Sequence, residues 1–383
     1  MRMFSDLPAP LSEIELLDEL KSASEKNILS LNLLGGGIYP HFIPSAVKQL
    51  VSRGEFYTAY TPYQPEASQG TLQSIYEYQS MISYLTGMDV SNASMYDGAT
   101  AMAEAAFLAC RVTGRKEIVV SSTVNPRYRQ VLKTYAKGAD LAITELPYDK
   151  KTGQTFQPAN SLTPATACII LQQPNFFGCI EEVKGLADQV HANGSLLIIG
   201  ADPISLGLLE APGNYGADVV VGEGQSLGIP QNFGGPLLGI FSAKEKYLRQ
   251  VPGRLVSRTL DVDGRQGFVL TLQAREQHIR RERATSNICS NEALCALSAC
   301  IYLSLMGKQG LRKIAELCLQ KSNYLKAKTG SVFSGSSFKE FVVKTDKNIG
   351  IDLGQYYPEL KGSRLVCVTE LYTKKMLDKI INS

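Results

Sequence analysis

Short runs of apolar residues alternate with segments of helical spacing through the middle of the chain. The strand-like runs are Ile118–Val120, Leu141–Thr144, Cys168–Leu171, Leu196–Ile199 and Val219–Val221, and the helix-like segments include Pro126–Tyr135 and Glu181–Ala192. Runs that are apolar at nearly every position are buried on both faces, as in a parallel sheet covered by helices. The pattern predicts a large α/β domain, from about residue 67 to 305, with a mostly parallel central sheet.

The first 66 residues are predicted to form one helix and an ordered arm. Ser12 and Glu15 have the spacing of a capping box at a helix start. The following stretch, 29 to 65, has three successive glycines and four prolines, which prevent long regular structure. Because this stretch is rich in aromatic residues, among them Tyr57, Tyr60 and Tyr63, we expect it to be ordered and to lie at an interface or a site. An ordinary loop that packs on the surface is the alternative.

The last third of the chain changes its pattern. Residues 255 to 272 alternate around Asp263-Gly264, which predicts a β-hairpin. The basic run Ala274–Arg283 has helical composition and is predicted to be a helix with a solvated face. Two further helices are expected, one ending near Met306 and one from about Leu311. Two short strands after Phe338 then predict a small α+β domain over residues 306 to 383.

A glycine-rich loop separates the apolar runs Val219–Val221 and Leu237–Phe241. Pyridoxal-phosphate enzymes with such a sheet place a lysine at the start of this loop, because only an amine condenses with the cofactor's aldehyde. Here the loop starts with Gly224, Gln225 and Ser226, and no lysine lies between Lys184 and Lys244. The sequence therefore predicts a pyridoxal-enzyme fold without the covalent attachment residue.

Asp97 and Gly98 precede an alanine-rich segment that is predicted to be a helix ending at Gly114. The N-terminus of such a helix can hold a phosphate through its free N–H groups. Asp97 can cap those groups itself, and its charge would repel a phosphate. An ordinary N-cap explains Asp97 equally well.

Composition narrows the possible functions. The chain of 383 residues has a net charge of +3 and no basic run mixed with aromatic residues, so no nucleic-acid surface is predicted. We expect no membrane span, and the polar N-terminus indicates a cytoplasmic protein. Eight cysteines without a C-x-x-C motif and three scattered histidines predict reduced core thiols and no metal site.

Long motifs in the chain resemble the glycine decarboxylase P-protein family, and in particular subunit 1, the α chain of its two-gene form. They are E-F-Y-T-A-Y-T-P-Y-Q-P-E, N-A-S-M-Y-D-G-A-T-A-M-A-E-A, Q-Q-P-N-F-F-G, A-D-P-I-S-L-G-L-L, G-E-G-Q-S-L-G-I-P-Q-N-F-G-G-P-L-L-G and L-T-L-Q-A-R-E-Q-H-I-R-R-E-R. The resemblance covers nearly the whole chain. Relative to the usual α chain, we expect a leading segment, part of the stretch between Lys347 and Ile351, and the end to be absent.

The resemblance implies a fold type I pyridoxal-phosphate architecture in which subunit 2 carries the cofactor lysine. It further implies a heterotetramer of two α and two β chains that decarboxylates glycine and transfers the aminomethyl group to the lipoyl arm of H-protein. Gln225 then stands at the Schiff-base position. Gly200 stands where the aspartate that pairs with the pyridinium would fall, and Asp202 lies two residues further on.

Three interpretations remain open at this point. In the first, the chain shapes the active site of subunit 2, with Tyr57, Tyr60, Tyr63, Asp97 and His278 as candidate lining or interface residues. In the second, it only holds the assembly together. In the third, it is a self-sufficient enzyme that uses a displaced lysine, for example Lys244.

Overall fold

The structure is a computed structural model that describes residues 8–27 and 32–382, in two compact units divided after Asn32. The first unit contains α1 (Glu13–Glu25), whose capping box is present as predicted: Glu15 Oε2 accepts from the Ser12 backbone N–H at 2.9 Å. The apolar side chains of α1 are exposed. The predicted features at residues 1–7 and 28–31 lie outside the described residues.

A seven-stranded sheet forms the centre of the second unit. Its order is β1-β7-β6-β5-β4-β2-β3, and the strands are β1 (Val90–Ser91), β2 (Glu117–Ser121), β3 (Ala142–Leu146), β4 (Thr166–Gln173), β5 (Leu196–Ala201), β6 (Val219–Glu223) and β7 (Gly239–Ala243). The pairs among β2 to β6 are parallel, whereas β7 runs antiparallel to both β6 and β1. The prediction of a mostly parallel sheet is confirmed.

Helices cover both faces of this sheet, which explains why its strands are continuously apolar. Along β6, Val219 and Val221 belong to the same buried cluster as the alanine-rich helix α5, whereas Val220 points to the other face, towards α7. The helices of this region are α2 (Ser45–Val51), α3 (Gly54–Tyr57), α4 (Gln69–Thr86), α5 (Gly98–Thr113), α6 (Pro126–Gly138) and α7 (Leu186–Ala192).

The predicted hairpin is present as β8 (Leu255–Leu260) and β9 (Gln266–Thr271). The predicted helix over 274–283 is wrong: its one α-helical turn is α8 (Gln277–Arg280), between short 3₁₀ turns. The half-buried Arg275 side chain donates to the carbonyls of Val251, Gly253 and Leu272. These hydrogen bonds hold the backbone near Arg275 in a non-helical conformation. The left-handed backbone of Arg281 (φ 54°) then ends the helical turn.

Helix α9 (Ala293–Thr329) contains a non-helical residue, Gly307, where the sequence predicted a break between two helices. Of the helices that the structure describes, α9 alone is long and apolar enough to cross a membrane, a test that core helices also meet. Its residues Ala299, Tyr302 and Ile314 pack into a buried cluster with α4. The prediction that no membrane is involved stays a prediction.

A small antiparallel sheet follows, as predicted, in the order β10-β12-β11. Its strands are β10 (Glu340–Lys344), β11 (Ile351–Asp352) and β12 (Ser363–Cys367), and α10 (Lys374–Asn382) comes after them. The domain boundaries at residues 66 and 305 stay predictions.

Gly178 lies where the small sheet meets the segment after β4, and we predict that an alanine there destabilises the protein. Gly178 has φ +79°, and a Cβ would overlap the carbonyl of Glu340 at the start of β10. Gly178→Ala should lower the free energy of unfolding by roughly 3–5 kcal/mol, from left-handed strain and overpacking together. Urea denaturation measures this loss.

Gly185 provides the matched control. It also has a left-handed backbone, with φ +72°, but a Cβ at this position would meet no other atom within 4 Å. Gly185→Ala should cost about 1–2 kcal/mol. Equal losses in the two variants would contradict the proposed contact between Gly178 and β10.

Candidate functional site

The carboxyl ends of β4, β5 and β6 surround the place where a fold of this kind holds its ligand. The space between them is a cavity of about 30 Å³, lined by residues that include Gly200, Asp202, Tyr128 and Glu223. Sites for small organic ligands usually measure about 300–1,000 Å³. The cavity has room for a few water molecules and not for a cofactor ring.

Glu223, at the end of β6, occupies the centre of this region. One carboxylate oxygen accepts from the N–H groups of Gln225 and Leu238 at 3.0 and 2.9 Å, and the other accepts from Gly98 at 3.0 Å. Burial raises the pKa of Glu223 to about 7, although these hydrogen bonds favour the charged form. Glu223 therefore holds the glycine-rich loop against the start of α5.

Asp97 caps the same helix, as the sequence predicted. Its Oδ1 accepts from the N–H groups of Ala99 and Thr100 at 2.8 and 2.9 Å. Together with the bond from Gly98 to Glu223, this occupies the first three N–H groups of α5 with carboxylates of the chain. These three donors are not free to bind a phosphate, and two carboxylates would repel one.

Gln225 is buried and bonds to the backbone of Tyr39 in both directions. Its Oε1 accepts from the Tyr39 N–H at 2.8 Å, and its Nε2 donates to the Tyr39 carbonyl at 3.2 Å and to the Ile229 carbonyl at 2.7 Å. At the position predicted for a Schiff-base lysine, the chain thus has an amide side chain. That amide holds segment 35–41 of the same chain in place.

Lys339, just before β10, is the buried cation of this region. Its Nζ lies 2.8 Å from Asp202 Oδ2, 3.2 Å from His41 Nε2 and 3.4 Å from the centre of the Tyr39 ring. Burial disfavours the ammonium, but the neighbouring groups, Asp202 foremost, together outweigh burial and raise the pKa of Lys339. Asp202, two residues beyond Gly200 at the position expected for a pyridinium-pairing aspartate, is therefore already paired with a lysine.

Glu340 completes the attachment of segment 35–41. Its carboxylate accepts from the Tyr39 hydroxyl and from the Gly36 N–H, both at 2.7 Å. Burial raises its pKa to about 7. Gly36 has φ +74°, a conformation that glycine adopts without strain. This glycine of the triple-glycine motif therefore lets the backbone come close to Glu340.

His41, Cys318 and Glu370 form the one cluster among the described residues with spacing suitable for a metal ion. His41 Nδ1 and the Phe42 N–H already bond to Glu370, at 2.7 and 2.6 Å. Burial and the neighbouring Lys339 charge lower the pKa of His41. A cation beside His41 Nε2 would also repel a metal ion, so the geometry is better explained as a hydrogen-bonded network than as a metal centre.

These contacts test whether the strand ends could hold pyridoxal phosphate. The cavity is too small, the start of α5 is occupied by carboxylates, and Gln225 replaces the lysine. Lys244 offers no substitute, because its Nζ lies 3.2 Å from Asp218, which precedes β6 at the opposite end of the sheet. The residues of this chain do not fit the cofactor.

The structure divides the remaining predicted site residues into two groups. Asp97 and Gln225 meet at Glu223, in the interior. Tyr57, Tyr60, Tyr63 and His278 lie elsewhere: Tyr60 and His278 each contact the Tyr63 ring, with ring centres 6.5 and 6.2 Å away. Tyr57 and Tyr60 are 69% and 83% exposed, so they do not pack in the core of this chain.

Sequence reasoning missed Tyr39, Glu223, Arg254, Lys339 and Glu340. Glu223 gave a signal, since it is a carboxylate that ends an apolar strand and precedes Gln225. Lys339 and Glu340 also interrupt the apolar segment 338–343 at the start of β10. The others gave none, because Tyr39 and Arg254 are ordinary residues in sequence and become buried only through distant contacts.

A family model described as "Glycine cleavage system P-protein" matches residues 2–382. The chain belongs to this family. Two curated relatives, each described as "Probable glycine dehydrogenase (decarboxylating) subunit 1", come from Desulforamulus reducens and Moorella thermoacetica. Each is 52% identical and aligns with 98% of this chain, covering 92% and 89% of its own length. The resemblance stated from the sequence motifs is confirmed.

Solved structures of this P-protein family and of more distant proteins agree on the fold. A crystal structure of glycine decarboxylase (P-protein) in inhibitor-bound form has a TM-score of 0.92 and 41% identity, and covers 99% of this chain and 91% of that one. A sphingosine-1-phosphate lyase from Burkholderia pseudomallei, at 12% identity and TM-score 0.69 over 98% of this chain and 91% of that one, shows the fold alone. The predicted fold type I architecture is confirmed.

Restoring the lysine should not restore cofactor binding in this P-protein family chain. We expect Gln225→Lys, mixed with pyridoxal phosphate, to show no imine absorbance, because segment 35–41 and Glu223 fill the site. We also expect it to lose roughly 2–4 kcal/mol of stability with the bonds to Tyr39. Absorbance spectra and urea denaturation measure the two effects, with the unsubstituted chain as control. An imine in the variant would show that the cavity can open for the cofactor.

Glu340 should make stability depend on pH. Because burial raises its folded-state pKa from 4.5 to about 7, the stability linked to its protonation is present below pH about 4.5 and is lost as the pH rises through about 7. That loss is roughly 3 kcal/mol. Glu340→Gln cannot titrate and keeps acceptor and donor groups for Gly36 and Tyr39.

Urea denaturation at pH 5 and pH 8 measures this effect as a difference between variants. Relative to the unsubstituted chain, Glu340→Gln should gain stability at the higher pH. Glu182→Gln is the control, since Glu182 is exposed. A stability difference between Glu340→Gln and the unsubstituted chain that is the same at both pH values would refute a raised pKa at Glu340.

Proposed function

We propose that this chain is the subunit of glycine decarboxylase that lacks the Schiff-base lysine, and that it works with a second subunit that holds pyridoxal phosphate. One observation carries the proposal: the place where the fold would bind the cofactor is filled by the chain's own Glu223, Tyr128 and segment 35–41. A member of this family with a filled site needs another chain to supply the reactive group.

The complete enzyme would decarboxylate glycine and transfer the aminomethyl group to the lipoyl arm of H-protein. We propose a cytoplasmic heterotetramer with two copies of each subunit. The description "subunit 1" of the relatives supports a partner chain, because it presupposes a subunit 2.

The tyrosine arm, residues 56 to 63, is our candidate for the part that reaches the partner's active site. Tyr57 and Tyr60 present their rings to solvent, and His278 lies beside Tyr63. Exposed phenols can donate hydrogen bonds and offer flat faces to a ring or a substrate in a neighbouring chain.

A second role, assembly without a chemical contribution, is favoured by other exposed apolar groups. Val262 at the tip of the β8–β9 hairpin, Leu260 beside it and Phe233 in the glycine-rich loop are all fully or mostly exposed. Large exposed apolar groups are typical of surfaces that contact another protein. Both roles need the partner, and they differ in what the arm contributes to turnover.

Reconstitution tests the proposal. We expect the purified chain with pyridoxal phosphate to show neither imine absorbance nor bicarbonate–glycine exchange in the presence of H-protein. Both should arise when subunit 2 is added. Bicarbonate–glycine exchange by subunit 2 alone at the full rate, or by this chain alone, would contradict the proposal.

Tyr60→Phe separates the chemical role from the assembly role. If the Tyr60 hydroxyl contacts the partner's site, its loss should lower the exchange rate about tenfold while sedimentation shows an intact complex. Tyr84→Phe, at a tyrosine on α4 that is 80% exposed, is the matched control. An unchanged rate in both variants would favour assembly alone.

A further inference from the structure

A pocket of about 270 Å³ lies between the tyrosine arm, helix α4, the residue before β8 and the start of α9. We call it the arm pocket. Its volume is about nine times that of the cavity at the strand ends, so it can hold a small ligand. Its lining includes Tyr57, Tyr60, Arg254, Ser290, Asn291 and Leu294.

Arg254 gives the arm pocket a buried positive charge. The side chain is only 4% exposed, and the hydrogen bonds that it donates within the described part of the chain all go to neutral oxygens. Nη1 donates to Ser290 Oγ at 3.1 Å and Asn291 Oδ1 at 3.3 Å, and Nη2 donates to the Cys289 carbonyl at 2.9 Å and the Tyr63 hydroxyl at 3.2 Å.

The guanidinium charge lacks a counterion among the described residues. Its Nε is buried without a partner, and no carboxylate of residues 8–27 or 32–382 lies within 4.0 Å of Arg254. A buried charge is costly unless an opposite charge accompanies it. The buried arginines of most folds are paired, so an unpaired one beside an open pocket indicates that an anion completes the site.

The start of α9 adds a second attraction for an anion. Ala293 and Leu294, the first residues of the helix, line the arm pocket. The N-cap residue Glu292 makes no side-chain bond to the helix N–H groups. A helix start carries about half a positive charge and binds anions through such N–H groups. The arginine and the helix start therefore favour negative charge at the same place.

We propose that the arm pocket binds a carboxylate through Arg254 and the first N–H groups of α9. The arginine and the helix start together can balance a carboxylate, and the carboxyl group of the N-cap residue Glu292 disfavours the second negative charge of a dianionic phosphate. The carboxylate would take the Nη2 donor that now bonds weakly to the Tyr63 hydroxyl. It comes either from glycine or from an acidic side chain of the partner subunit. The assignment to these two sources rests on the proposed function, whereas the binding of a carboxylate by the arm pocket does not.

A titration of the single chain tests the site without a partner. At constant ionic strength, [¹³C]acetate should show saturable line broadening with this chain, and Arg254→Gln should weaken that affinity about tenfold or more. Arg258→Gln, at an exposed arginine on the adjoining strand β8, should behave like the unsubstituted chain. Acetate that binds equally to Arg254→Gln, or not at all to the unsubstituted chain, would overturn the proposal. Inorganic phosphate bound more tightly than acetate would also overturn it.

Tyr63→Phe covers the case in which Arg254→Gln does not fold. It keeps the ring and the charge, and removes the hydroxyl that competes for Nη2. This variant should bind acetate at least as tightly as the unsubstituted chain. Weaker binding would mean that acetate does not use the guanidinium donor.

The reconstituted complex then distinguishes the two sources. A raised KM for glycine in Arg254→Gln, with the same subunit affinity, assigns the pocket to the substrate carboxylate. A weaker subunit affinity with the same KM assigns it to a partner side chain, and no change in either overturns the role in the complex. If mixing produces no exchange even without substitutions, the proposed function fails, while the acetate titration still decides whether the pocket binds carboxylates.

Discussion

The ion pair between Lys339 and Asp202 closes the carboxyl edge of the central sheet. Asp202 follows β5 of the large sheet and Lys339 precedes β10 of the small one, so the pair joins the two sheets at 2.8 Å. The Tyr39 ring lies against the same ammonium group. This contact also holds segment 35–41 beside the ion pair. Removing one partner of such a buried pair typically costs about 3–5 kcal/mol, because the other charge stays behind uncompensated.

The carboxyl edge of the central sheet and the tyrosine arm differ in what they can bind. The cavity at the edge is too small for a substrate or a cofactor, whereas the arm exposes polar groups to solvent. Inside, Glu223 and Gln225 satisfy one another and the neighbouring backbone, so the glycine-rich loop is held as a structural element. Outside, the phenols of Tyr57 and Tyr60 remain exposed, and the buried Arg254 beneath them has no carboxylate partner among the described residues. The function proposed above follows from this division.

Local patterns in the sequence were sufficient for most of the sheet and for the role of Asp97, because apolar runs and caps depend on neighbouring residues. The helix predicted over 274–283 failed because Arg275 bonds to loop carbonyls that no local pattern reveals. The same holds for the closed edge: His41 and Lys339 are 298 residues apart in sequence. Gln225 could be recognised as an absent lysine, but its bonds to Tyr39, 186 residues away, could not.

The two-way bond between Gln225 and the Tyr39 backbone also bears on the history of the fold. A lysine at that position cannot accept from the Tyr39 N–H, so it would weaken the attachment of segment 35–41, which Glu340 would still hold in the site. Glu340 and Glu223 would then have to change as well, since Glu340 holds that segment and Glu223 lines the cavity at the strand ends. Replacing Gln225 alone would remove its bonds to Tyr39 and leave the cavity filled. A change of one residue would therefore not give this chain a cofactor site of its own, and evolution towards such a site would require several substitutions together.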